Sequence, residues 1–311
     1  MTTTANVDHL TRSEIWSTQL KDVLEDDLFA TQWVNWLSEF PDGTTFTIPS
    51  VGQAQHYDYT EDEAIQYTPL DTGEFQLTIN KYKASGIYIT DKAKQDMFYM
   101  NQLVSSFVPK QERAIMEAVE SDVLGLESEQ TASDLNNING APHRFVASGT
   151  NEVFTTSDFA KARYSLKKAN VPDTNLVAIV DPSVEYTLNT LTNLTSISNN
   201  PMWEGIVADG IATGMRFVKN VYGFDVYVSN NLADANETVD SVTTAAGKAN
   251  MFFSAASDVL PFVGAWRQMP QVESSRNKDF QRDEFVITGR YGVKLFRPEN
   301  LVCVLSDTDQ V

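Results

Sequence analysis

One cysteine, three histidines and no long apolar run among 311 residues set the first limits on this chain. A lone Cys303 excludes an internal disulfide framework, and its setting in Leu301-Val302-Cys303-Val304-Leu305 reads as a buried structural thiol. His9, His56 and His143 are far apart and have no cysteine or paired carboxylate at ligand spacing, which argues against a zinc or iron centre. No GxSxG elbow, Walker loop or GxGxxG pattern occurs. Ser-x-x-Lys occurs twice, at Ser165–Lys168 and Ser275–Lys278, without companion motifs, and is read as coincidence. No catalytic residue, cofactor or metal is therefore expected, and the chain is read as a non-enzyme. The longest apolar stretch, 259–266, is broken by Pro261 and Gly264 and is too short to cross a bilayer. With no signal-peptide pattern at residues 1–6, a soluble protein made inside the cell is expected.

Basic residues are also scarce. Lys and Arg number 23 against 42 Asp and Glu, a formal charge of −19, so most of the surface should repel nucleic acid and anionic membranes. The charge is uneven. Residues 1–63 hold twelve acidic and two basic side chains, whereas 79–113 hold six basic and three acidic ones. Such an acidic arm and basic segment could set register by meeting across subunits.

What is present is a chain that changes character as it runs. Residues 13–40 carry apolar side chains at helical spacing behind Ser13, from Ile15 and Trp16 through Trp33, Val34, Trp36, Leu37 and Phe40, and predict an amphipathic helix ended by Pro41-Asp42-Gly43. Thr45-Phe46-Thr47-Ile48 and residues 75–80 alternate with period two, and predict a long antiparallel hairpin. Between them the acidic run 58–63 lacks the spacing of a calcium loop and reads as solvated. The hairpin has too few apolar residues to bury both faces, so a cover from outside its own chain is expected.

Thr90 predicts an N-cap. A helix follows over 91–124 with one apolar stripe through Met97, Val104, Phe107 and Ile115, kinked at Pro109. At 1.5 Å per residue it would be roughly 50 Å long, which implies an elongated molecule. Beyond it, Thr156 or Ser157 should cap a helix that closes at Asn170-Val171-Pro172. A buried strand is predicted over 176–180, a helix from Asp181-Pro182-Ser183 through Leu191, a strand pair turning at Tyr222-Gly223-Phe224, a polar loop over 231–248, and terminal strands at 285–296 and 301–305.

The order of these pieces resembles the major capsid proteins of tailed bacteriophages, an α+β, Hong Kong 97-like fold. Three pieces carry the resemblance: the strand-rich loop that enters the long helix through Ile87-Tyr88-Ile89-Thr90-Asp91-Lys92; Phe159, Ala162, Leu166 and Asn170-Val171-Pro172 leading to 176–182; and the ending Tyr291-Gly292-Val293 with Arg297-Pro298-Glu299-Asn300. The resemblance implies an N-arm over 1–43, an extended E-loop over 44–88, and a peripheral domain over 89–154 containing the spine helix 91–124. It further implies an axial domain over 155–265 and return strands of the peripheral domain over 266–311. Tyr57, Tyr59, Glu61, Phe75, Lys81 and Lys83 would be E-loop contacts to a neighbour. The implied partners are the chain itself in pentamers and hexamers, a separate scaffolding protein, a portal protein, an optional decoration protein and, weakly, the packaged double-stranded DNA, with no membrane. The virion shell, built in the bacterial cytoplasm, would be its place. An encapsulin-type nanocompartment shell and an enzyme of unfamiliar type are the alternatives.

Overall fold

The computed structural model describes residues 28–38, 43, 45–51, 56, 58–65, 67, 72–96, 100–190 and 220–308. In chain order the first elements are β1 (Val34–Leu37), β2 (Thr45–Val51), β3 (Thr72–Thr78), β4 (Lys81–Thr90), α1 (Asp91–Asp96) and α2 (Met100–Leu124). Then come β5 (Asn137–Ile138), β6 (Ala141–Pro142), β7 (Arg144–Val146), α3 (Thr156–Lys168), β8 (Leu176–Val180) and α4 (Pro182–Thr190). The remainder is strand: β9 (Asn220–Val221), β10 (Phe224–Val228), β11 (Thr238–Val239), β12 (Val242–Thr243), β13 (Gly247–Ser254), β14 (Phe262–Asn277), β15 (Arg282–Leu295) and β16 (Val302–Asp307).

A six-stranded sheet in the order β7-β16-β13-β8-β10-β9 forms the inner body. Its centre, β8, is the continuous apolar run Leu-Val-Ala-Ile-Val, and all five residues are buried, as a strand covered on both faces requires. Alternation then divides its side chains. Val177 and Ile179 point, with Met251, Phe253 and Cys303, into a cluster shared with Val119, Val123 and Leu124 of α2. Leu176, Ala178 and Val180 point the other way, with Phe252, onto Phe159, Ala162 and Leu166 of α3 and Val184 and Leu188 of α4. The result is three layers, helix on sheet on helices.

The second sheet has the order β1-β14-β15-β4. Its inner end, at Phe262, Tyr291 and Leu295, joins the cluster under α2, so that helix ties the two sheets together. Every fourth residue of α2 from Gln111 is buried (Gln111, Ile115, Val119, Val123), a stripe at the helical repeat. Thr90 caps the start of α1 through its Oγ1, which accepts from Ala93 N–H at 3.3 Å.

Several expectations need correction. Residues 34–37 are a strand, not helix: β1 lies parallel to Phe262–Ala265 at the sheet edge, preceded by a 3-10 turn over Ala30–Trp33. Pairing with an open edge overrides a helix-compatible spacing of apolar residues. The rest of the expected 13–40 helix, apart from 28–38, lies outside the described residues. The cap of α3 is Thr155, in a capping box with Asp158. Residues 231–248 are not a plain loop, since β11 and β12 pair across Asp240-Ser241, both at positive φ. The β9–β10 turn does fall at Tyr222-Gly223, with φ of 52° and 90°, the backbone of a two-residue primed turn. The expected 265/266 boundary falls inside β14, and β16 lies in the six-stranded sheet.

Candidate assembly surfaces

The hairpin β2–β3 is rooted firmly and ends freely. At its root Leu77 and Ile79 are buried against Val263 and Ala265. Phe75 meets the Phe296 ring edge-on at 4.9 Å, and Lys294 sits 5.0 Å from its centroid while donating to Gln76 O at 3.0 Å. The chain passes so close to Gly292 that an added Cβ would lie 2.5 Å from Thr78 O. Outward, the strands pair in register from Thr45↔Thr78 to Val51↔Thr72. Beyond them every described residue of 56–67 is exposed. Tyr59 is 61% exposed, Ile65 57% and Tyr67 90%, three large apolar side chains uncovered close together, and clustering of this kind rather than single exposure marks interaction surfaces. Tyr59 and Glu61 thus stand at the exposed tip. Phe75 belongs to the root, and Tyr57 lies outside the described residues.

Lys81 and Lys83 point from β4 to one carboxylate of the helix. Their Nζ atoms lie 3.2 and 3.4 Å from Asp122, and the Tyr291 hydroxyl donates to the same group at 2.6 Å. Burial alone would raise the Asp122 pKa, but the Tyr291 hydrogen bond and the two lysines hold it below the usual carboxylate value. Burial and the neighbouring carboxylate push the Tyr291 phenol well above its ordinary value, so it stays a donor. Farther out, Lys94 pairs with Asp283, and Arg276 bonds Asp91 at 2.7 Å. Much of the basic stretch 79–113 is thus engaged within its own chain. Ile115 is buried at 2% exposure and faces Gly289. Val104 and Phe107 lie in α2 where side chains are not described, and Met97 lies outside the described residues.

The sequence model of a family described as "Phage capsid protein" matches residues 73–304, about three quarters of the chain. The chain belongs to the phage capsid protein family. Its fold is similar to a solved structure of Mycobacterium phage Che8, with a TM-score of 0.69 at 19% identity over 94% of this chain and 96% of that one. It is similar to the bacteriophage PhiM1 mature capsid, with a TM-score of 0.70 at 11% identity over 96% and 93%. The capsid of an empty GTA particle gives 0.59 at 13% identity over 98% of each chain. No curated protein matches. The chain is thus a major capsid protein of a phage head, a structural subunit of the virion shell, and the nanocompartment alternative is not favoured.

The capsid subunit also contains joints that sequence reasoning missed. Arg144 is buried between two carboxylates, with Nη1 donating to Glu127 Oε2 and Nε to Glu237 Oε1, each at 2.6 Å. It ties the turn after α2, strand β7 and the segment before β11 together. The partners lie 17 and 93 residues away, and nothing local signals them. Glu120 of α2 accepts from the backbone N–H of Phe29 at 2.8 Å and of Ala30 at 3.0 Å, so a helix carboxylate seats the segment leading into β1. A glutamate amid a buried stripe was the one available signal.

Proposed function

We propose that this subunit self-assembles through pentamers and hexamers into the icosahedral head of a tailed double-stranded DNA phage, with the β2–β3 hairpin as the inter-subunit loop. The observation that carries the reading is the hairpin itself, buried at its root and uncovered at an acidic, aromatic tip. The six-stranded sheet, β16 included, is with α3 and α4 the axial unit. The four-stranded sheet with α2 as spine is the peripheral unit; of the expected arm over 1–43, the part 30–37 packs within its own chain and joins that sheet as β1, and residues 1–27 lie outside the described residues. Scaffolding and portal proteins, and optionally a decoration protein, are its partners, with assembly in the bacterial cytoplasm. The acidic chain, at −19, would hold packaged DNA only weakly.

The test is electron microscopy of the chain, expressed alone and with a co-expressed scaffold, beside a variant in which a two-residue turn replaces 52–71. The cut spares Leu77 and Ile79, which belong to the core. Closed shells from the parent and folded, unassembled subunits from the variant are expected. Normal shells from the variant would overturn the loop assignment.

A further inference from the structure

Two surfaces of this subunit are opposite in charge and uncovered within it. The first is the outer side of α3, which carries Lys161, Arg163, Lys167 and Lys168 against a single acid, Asp158, buried and engaged in the cap. In a chain of −19 this is a cationic helix face. Arg163, Lys167 and Lys168 of this face, with Ala160, Tyr164 and Tyr222, line a groove of about 400 Å³, within the size range of ligand-accepting clefts. Internal bonds hold the groove in shape. Arg163 donates to Tyr222 O at 2.9 Å, and Arg163 and Lys167 grip Asp173 at 2.9 and 2.6 Å. One carboxylate among three cations leaves the rim net positive. Tyr164 and Tyr222 remain 50% exposed above it.

The second surface is the hairpin tip. Asp58, Glu61, Asp62 and Glu63 place four carboxylates within six exposed residues, with the uncovered Tyr59 among them and Ile65 and Tyr67 just beyond. An aromatic ring beside carboxylates is the complement of an aromatic-lined groove under a cationic rim. Two complementary patches on different parts of one chain make a heterologous contact, which repeats from copy to copy and can close a ring.

We propose that the tip, residues 58–67, docks in the α3 groove of a second copy, with its carboxylates against Lys167 and Lys168 and an exposed tyrosine in the groove. The inference rests on the hairpin being an inter-subunit loop, and it names where that loop lands.

Charge exchange tests it. One variant carries Glu61→Lys, Asp62→Lys and Glu63→Lys; another carries Lys167→Glu and Lys168→Glu; a third carries all five. Sedimentation velocity and negative-stain microscopy over a concentration series read assembly, and circular dichroism confirms that each variant is folded. Each single set should raise the concentration needed for rings or shells about tenfold or more, because like charges then face each other. The combined variant should return to within about threefold of the parent, as a coupled pair does. Tyr164→Ala, which removes no ion pair, should weaken assembly in the same direction. Single sets that assemble like the parent, or a combined variant no better than the worse of the two, would overturn the proposal. A parent chain that never assembles would instead defeat the broader reading.

Discussion

The two sheets of this capsid protein are built from similar strands and finished differently. In the six-stranded sheet, β8, β13 and β16 are buried almost throughout, with helices on both sides. In the four-stranded sheet, β14 is buried over its first four residues and is exposed from Gln271 to Arg276, while β4 turns Tyr82 and Tyr88 outward at 66% and 61% exposure. The first sheet is complete within one chain. The second leaves one face of β4 and the outer part of β14 exposed. Sequence alternation tells them apart, since a strand destined for a sealed interior has no polar face, whereas Lys81–Thr90 has one. A shell subunit needs both, a body whose shape does not depend on neighbours and limbs whose burial does.

That contrast can be broken at graded cost. Phe252 lies among Phe154, Phe159 and Phe224 with centroids 5.2–5.9 Å away, so Phe252→Ala should lose about 4 kcal/mol of subunit stability in urea unfolding. A loss under about 1 kcal/mol would mean that the inner body can collapse around the cavity. Arg144→Met leaves Glu127 and Glu237 buried without their cation and should cost about 3 kcal/mol, with partial recovery when Glu127→Gln is added.

Tyr291→Phe should cost about 1.5 kcal/mol, the value of a hydrogen bond to a charged group. Its pH dependence follows from the sign of the shift. The folded Asp122 carboxyl lies below its unfolded value, so its contribution is present above the usual carboxylate pKa and is lost as pH falls through the lowered one. The variant should therefore lose less stability than the parent on acidification from neutral pH. At the surface the effects shrink. Asp173, held at about 2 by Arg163 and Lys167, is largely exposed, and Asp173→Asn should change stability by no more than about 0.5 kcal/mol. Replacing 52–71 by a short turn should leave the subunit's stability in urea unfolding within the same margin. A large drop there would place the tip in the subunit's own core and erase the contrast between the sheets.

Much of the fold was legible because the deciding interactions are local. Thr90 caps the residue three beyond it, the β2–β3 hairpin announces itself by alternation, and β8 by an unbroken apolar run. The failures lie where a distant partner decides. Residues 34–37 suit either a helix or a strand, and the edge of β14, more than 220 residues on, settles it. The pairing of β11 with β12 was invisible because its turn, Asp240-Ser241, reaches positive φ without a glycine, and because Val242 and Thr243 are exposed. Of the proposed contact residues, the tip was legible as acidic and aromatic. The engagement of Lys81 and Lys83 by Asp122 was not, since a carboxylate about forty residues away along the chain gives no local sign.

The place of β16 has a consequence for synthesis. This strand enters between β7, made some 160 residues earlier, and β13, and pairs with both. Until residues 302–307 have emerged from the ribosome, those two strands have bare edges and the sheet holding β8 cannot close. A chain broken off before that point is therefore an unfinished body rather than a slightly shorter subunit. Late insertion of one strand thus makes completion of the inner body wait on residues 302–307.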